Sequence, residues 1–265
     1  MIKEYYNSEK NHDVLILGDC EVYENISTVT MWENYGISSY IRGSAEQLIW
    51  QSYYLLEDTL KYEKPQVVIL NVLAMTESDA KNEAYNRMTL DGMKLSKYKI
   101  ASVRESMTEE ENMASYIFPL LRYHSRWSEL SSEDFRYMWK TPSVTTNGYL
   151  MQKGVRPVTT IPKAAPLANY TFSDRNMEYL DKIYSLCKDN GINLVLMKAP
   201  SVYPHWYDEW DKQVSDYAYE HGILYLNTIN EAGNIGIDYT TDTFDYGQHL
   251  NVELSLIHIS EPTRH

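Results

Sequence analysis

Three side chains in this sequence have the chemistry of a nucleophilic catalytic site. Cys20 follows Gly18 and Asp19 at the end of an apolar run, where the glycine permits a sharp turn, and an exposed thiol there is a candidate nucleophile. Near the other end of the chain, Asp245 and His249 lie in a polar, turn-prone stretch. A histidine paired with a carboxylate is a candidate general base. The residue types therefore indicate nucleophilic catalysis, provided that the fold brings the two ends of the chain together.

Alternating strands and helices must carry these groups. The unbroken apolar run at residues 14–17 is typical of a strand buried on both faces of a parallel sheet. Ser44, followed by Gln47, has the chemistry of a capping box at a helix start. Strands that alternate with helices indicate a parallel sheet between helical layers, a three-layer α/β/α fold that places ligands at the carboxyl ends of its strands. The other predicted strands span 37–41, 67–72, 192–197 and 223–226, and the predicted helices span 28–35, 44–61, 173–190 and 206–220.

This alternation is interrupted between about residues 76 and 170, where charge clusters, turn residues and amphipathic helices replace the strands. Residues 141–168 are rich in Pro, Thr, Gly and Lys, and we predict that they form a loop. We interpret the whole stretch as an insertion that caps the carboxyl edge of the sheet, within a single domain of residues 1–253.

Other polar residues are candidates for substrate binding. Lys198 and Ser201 follow the fourth predicted strand at the ligand edge, and Asp19 either contacts substrate or caps the turn. In the insertion, Arg122 and His124 could hold an anionic or sugar substrate; the alternative is a solvated helix end with His124 packed locally.

The composition excludes several classes of partner. A formal net charge of -13 argues against nucleic acid or an anionic membrane surface as the main partner. No hydrophobic run approaches the roughly 20 residues that span a bilayer. The two cysteines, Cys20 and Cys187, form neither a disulfide framework nor a metal-ligand spacing, and we expect no metal or organic cofactor.

Both ends of the chain look artificial. The first predicted strand begins close to residue 1, and one interpretation is that an upstream segment, such as a membrane anchor, is missing from this fragment. Residues 254–264 resemble the translation of a common transposase sequencing adapter. We therefore treat 254–265 as a foreign tail and exclude its histidines from the candidate site.

Together, several of these blocks resemble the SGNH (GDSL-type) hydrolase family over about residues 12–253. The resemblance is closest to its bacterial branch associated with cell-envelope acyl transfer. The matching residues are Gly18-Asp19-Cys20, Gly43, Asn71, Asp245 and His249-Leu250-Asn251. The resemblance implies a flavodoxin-like, five-stranded parallel sheet in the order 2-1-3-4-5. It also implies an extracytoplasmic, membrane-tethered protein.

The resemblance further implies ester hydrolysis or acyl transfer through a covalent acyl-enzyme. Carried over by position, Cys20 replaces the serine nucleophile, His249 is the base and Asp245 orients it. The backbone N–H of Cys20, together with Gly43 and Asn71, would form the oxyanion hole.

The sequence departs from the family pattern in three places. The nucleophile is a cysteine instead of a serine. The spacing between Asp245 and His249 is one residue longer than in the family, which leaves Asp242 as an alternative acid. The family's sequence block around Asn71 is only partly present. We predict an esterase or acyltransferase that acts on acyl groups of a cell-envelope glycan or on a small ester. The alternative is an inactive module that keeps the fold and binds a glycan or a protein.

Overall fold

Five short strands pair side by side in one parallel sheet, in the order β2-β1-β3-β4-β5. The computed structural model describes residues 1–80, 82–118, 143–161 and 163–252, together with residues 121, 129, 131, 132 and 136. The predicted strand order is confirmed. The strands are β1 Val14–Gly18, β2 Ser39–Gly43, β3 Val67–Asn71, β4 Asn193–Lys198 and β5 Leu224–Asn227.

Helices cover both faces of this sheet, which confirms the predicted three-layer α/β/α fold. Successive side chains of β1 point to opposite faces, so Leu15 and Leu17 join one core while Val14 and Ile16 join the other. The larger core includes residues of α3, α7 and α8, and the smaller one includes Val22 of α1. The helices are α1 Cys20–Asn25, α2 Thr28–Tyr35, α3 Ile49–Thr59, α4 Glu83–Leu90, α5 Lys97–Ser106, α6 Met113–Ile117, α7 Asp174–Asp189 and α8 Asp208–His221.

The strand register brings the ends of the strands to one edge. Gly18 at the end of β1 pairs with Gly43 at the end of β2, and Asn71 at the end of β3 pairs with Met197 of β4. Residues at and just after these strand ends therefore meet, and Glu21 contacts Lys198 although the two are far apart in sequence.

The predicted start of the helix after β2 is wrong. That helix begins at Ile49 instead of following Ser44, and its N-cap is Leu48. The capping side chains are engaged elsewhere, since Ser44 Oγ donates to Gln47 Oε1 and Gln47 Nε2 donates to the carbonyl of Arg42. Glu46 has a φ of 53°, in the left-handed region, so a helix cannot pass through it.

The described part of the insertion extends the helical layer on one face. Helix α5 packs against α3, and the indole Nε1 of Trp50 donates to Ser106 Oγ. The described residues of 143–168 contain no helix or strand, only an isolated bridge between Thr146 and Tyr149. Among the helices that the structure describes, none is long and apolar enough to cross a membrane. Residues 254–265, which we predict to be a foreign tail, lie outside the described residues.

Candidate active site

The turn between β1 and α1 presents the thiol. Gly18 leaves no room for a side chain, because an added Cβ would lie 2.7 Å from Cβ of Asn71. Asp19 then caps α1, its Oδ1 accepting the N–H of Glu21 at 3.0 Å. Cys20, the first residue of α1, is partly buried and lines a cleft. The sequence placed the thiol at this edge, and the turn gives it access to the cleft.

The cleft beside Cys20 has a volume of about 400 Å³, within the range of ligand sites. Its lining comes from the turns after β1, β2, β3 and β4 and from the C-terminal segment. From the insertion, the described lining residues are Thr76, Glu77 and Leu167. The other lining residues are Asp19, Glu46, Gln47, Leu73, Ala74, Tyr203, Pro204, Trp210 and Gln248.

A carboxylate orients the imidazole of His249. Nδ1 of His249 lies 2.6 Å from Oδ2 of Asp245, and the backbone N–H of His249 donates to Oδ1 of Asp245 at 2.8 Å. Asp242 instead accepts bonds from the backbone N–H of Asp238 and from the hydroxyl of Thr241. Of the two candidate acids, Asp245 is therefore the one that holds the ring, and Phe244 stacks on that ring with centroids 5.9 Å apart.

The thiol and the imidazole are neighbours. Nδ1 of His249 is engaged by carboxylates, while Nε2 is buried and has no hydrogen-bond partner among the described residues. Cys20 and His249 each shift the pKa of the other. Because Nδ1 is occupied by carboxylates, Nε2 is the nitrogen through which the ring can exchange a proton with the thiol or with a substrate.

The pKa values show how this pair is charged at rest. Burial raises the pKa of the Cys20 thiol to about 11, opposed by His249 and supported by the charge of Asp19. Burial lowers the pKa of His249, but interactions with Asp245, Cys20 and Glu24 outweigh it and raise that pKa to about 12. At neutral pH the pair is therefore a thiol beside an imidazolium, and its reactive form, with one proton fewer, increases as the pH rises.

A second carboxylate, from Glu24, was not predicted from the sequence. Its Oε2 lies 2.9 Å from Nδ1 of His249, and both side chains are about nine-tenths buried. Glu24 lies four residues after Cys20 on α1, so the two share a helix face. That spacing is the signal by which it could have been found, but only once residues 20–25 are known to form a helix.

The predicted oxyanion-hole residues have other partners or tight surroundings. The Asn71 amide donates to Asp19 Oδ1 at 3.1 Å and to Glu21 Oε2 at 3.0 Å, while its Oδ1 accepts the N–H of Ala199. Both amide hydrogens are thus engaged inside the protein, and Asn71 has no donor left for a substrate in this geometry. An added Cβ at Gly43 would lie 2.8 Å from Val22, so this glycine lets α1 pack closely. A role for the N–H groups of Cys20 and Gly43 stays a prediction.

The predicted pocket residues Lys198 and Ser201 lie beneath the cleft and are not in its lining. Lys198 Nζ lies 2.8 Å from each carboxylate oxygen of Glu21, and Ser201 Oγ donates to Glu21 at 2.6 Å. All three side chains are buried. The ion pair between Lys198 and Glu21 compensates two charges that would otherwise be costly to desolvate. With Asp19 and Asn71 they form the polar floor of the site, and burial together with the charge of Glu21 raises the pKa of Asp19 to about 7.

Two further predictions concern the insertion and metals. Arg122 and His124 lie outside the described residues, so their substrate-binding role stays a prediction. Within the described ranges, no group of three or more His, Cys, Asp and Glu side chains is arranged to hold a metal ion.

Comparison with known proteins gives distant structural similarity alone. No protein-family model and no curated protein matches the chain. Among solved structures it is similar to a Bacteroides fragilis protein assigned as an acylhydrolase, with 12% identity over 95% of this chain and 86% of that one and a TM-score of 0.41. It is also similar to a GDSL-like lipase from Bacteroides thetaiotaomicron, with 10% identity over 98% and 96% of the two chains and a TM-score of 0.40.

Proposed function

We propose that this protein is an esterase or acyltransferase that works through an acyl-enzyme on Cys20. The observation that carries the proposal is the meeting of Cys20, which lines the cleft, with the imidazole of His249, which Asp245 orients, although the thiol and the imidazole come from opposite ends of the chain. A buried imidazole, oriented through Nδ1 and with Nε2 left for a thiol, is suited to accept and return a proton.

The reaction follows from these positions. In the form that has lost one proton, Cys20 Sγ attacks the acyl carbonyl, a C–S bond forms and the ester C–O bond breaks. The departing alkoxide takes a proton from Nε2 of His249. Water or an acceptor hydroxyl then gives a proton back to Nε2 and attacks the thioester, which releases the thiolate. The substrate class that we propose, acyl groups of a cell-envelope glycan, rests on the resemblance of the sequence blocks.

Acylation with an activated ester tests the mechanism. We expect p-nitrophenyl acetate to add one acetyl group to Cys20, detected by intact-protein and peptide mass spectrometry. Cys20→Ala should abolish the adduct, and His249→Ala should slow its formation about 100- to 10,000-fold. Cys187→Ala is the matched control, because this second free cysteine is buried on α7. An adduct rate that is equal in wild type and Cys20→Ala would contradict the proposal.

A second candidate function, an inactive glycan- or protein-binding module, is favoured by one observation. Both amide hydrogens of Asn71 are engaged inside the protein, and a lost oxyanion donor typically costs about 100- to 1000-fold in rate. Glycan binding that survives Cys20→Ala and His249→Ala, without turnover of activated esters, would support this alternative.

A further inference from the structure

Two carboxylates converge on one ring nitrogen of His249. Oδ2 of Asp245 lies 2.6 Å from Nδ1, and Oε2 of Glu24 lies 2.9 Å from the same atom. Nδ1 carries a single hydrogen, and Asp245 alone is sufficient to orient the ring. The second carboxylate therefore adds negative charge at a nitrogen that is already oriented.

The position of Glu24 is held from several directions. Gln152 Nε2 donates to Glu24 Oε1 at 3.0 Å, which leaves Oε2 directed at His249. The next residue, Asn25, accepts the backbone N–H of Leu250 at 2.8 Å through its side chain. The end of α1 is thereby attached to the segment that carries the imidazole, while the beginning of α1 carries the thiol.

We propose that Glu24 is a second positioning acid of the site, which holds the His249 ring toward Cys20 and stabilises the imidazolium that stands beside the thiolate and gives its Nε2 proton to the leaving group. This role rests on the proposed acyl-transfer function. The ionisable groups that face His249 are Asp245 from its own segment and Glu24 and Cys20 from α1; Phe244, stacked on the ring, is neutral.

The role has a consequence for pH dependence. Negative charge beside Nδ1 stabilises the protonated ring, so Glu24 raises the pH at which the thiol and imidazole together lose their first proton. Acylation requires the form that has lost this proton. Glu24 thus stabilises the imidazolium charge of the reactive form and at the same time moves the active range to higher pH.

The pH profile of Cys20 acylation by p-nitrophenyl acetate tests this. Glu24→Gln keeps the side-chain shape and removes the charge, and we expect the acidic limb of the profile to move down by about 1 to 3 pH units. Glu24→Asp keeps the charge and should leave the limb close to that of wild type. Glu33→Gln, the same change of charge on an exposed face of α2, is the control. A Glu24→Gln variant that acylates more slowly at every pH, with an unmoved limb, would overturn the proposal in favour of a merely structural role.

A measurement without substrate separates this proposal from the proposed function. In ¹⁵N NMR of the ring nitrogens, we expect His249 of wild type to stay doubly protonated well above neutral pH and the ring of Glu24→Gln to titrate at lower pH. A shifted titration without ester acylation would support the role of Glu24 and refute the acyl-enzyme. Acylation of Cys20 together with an unshifted His249 titration would support the acyl-enzyme and refute the role of Glu24. If Glu24→Gln does not fold, Glu24→Ala, which removes the carboxylate and its bulk, should move the titration in the same direction, and an unmoved ring would again refute the proposal.

Discussion

Replacing Lys198 with methionine tests how the floor of the site is held together. Nζ of Lys198 lies 2.8 Å from both oxygens of Glu21, and neither side chain is exposed to solvent. Lys198→Met leaves the Glu21 carboxylate buried beside Asp19 without its compensating cation. Breaking a buried pair in this way costs about 3 to 5 kcal/mol of unfolding free energy. With a urea m value of about 2 kcal/mol/M, the unfolding midpoint should fall by about 2 M.

Urea unfolding followed by circular dichroism measures this loss. The matched control is Lys212→Met, which breaks an exposed pair with Asp216 on α8 and should change the free energy of unfolding by less than about 1 kcal/mol. The double variant Glu21→Gln with Lys198→Met removes both charges and should recover part of the stability that Lys198→Met loses. If Lys198→Met unfolds at the same urea concentration as Lys212→Met, the argument that this buried pair holds the floor is refuted.

Two further predictions concern titration at the cleft. Burial raises the pKa of Cys20 from 9.0 to about 11, so its thiolate fraction at pH 8 should be about 100-fold below that of an unperturbed thiol. Alkylation of Cys20 by iodoacetamide, quantified by mass spectrometry, should therefore be slow at pH 7 and accelerate into the alkaline range. Fast labelling at pH 7 would contradict this. Burial beside Glu21 raises the folded-state pKa of Asp19 from 3.8 to about 7, so the folded state binds more protons than the unfolded state between about pH 4 and 7 and the free energy of unfolding falls as the pH rises through this window. Asp19→Asn, which can still cap α1, should weaken that fall in urea unfolding at pH 5 and pH 8, and an unaltered pH dependence would show that Asp19 does not cause it.

The alternation of strands and helices, and hence the parallel three-layer sheet, could be predicted because it is encoded locally, whereas the strand order was implied by the resemblance to SGNH hydrolases. Strands β1 and β3 each contain an apolar run of four residues, and alternation with amphipathic helices leaves few topologies for a parallel sheet. The start of α3 was mispredicted for an equally local reason. Ser44 and Gln47 have the residue types of a capping box, but their side chains bond to each other and to Arg42, and Glu46 adopts a left-handed backbone.

Within the candidate site, residue type alone identified the groups that carry chemistry but not their partners. The resemblance to SGNH hydrolases predicted that Asn71 donates to substrate. The structure directs its amide toward two carboxylates instead, because the Lys198–Glu21 pair lies just beneath it and its own oxygen is bonded to Ala199. Whether a strand-end amide faces the cleft or the floor depends on these neighbours, which follow from contacts across more than a hundred residues.

By itself, the sequence determined the three-layer sheet and the thiol at the carboxyl edge of its strands, where the candidate cleft lies, since apolar runs and a glycine turn act through nearby residues. Tertiary structure alone decided which carboxylates reach the imidazole: Asp245 instead of Asp242, and Glu24 in addition. The reason is physical. Hydrogen bonding of a buried ring depends on distances of a few tenths of an ångström between α1 and the C-terminal segment, and these distances are set by how the two elements pack together.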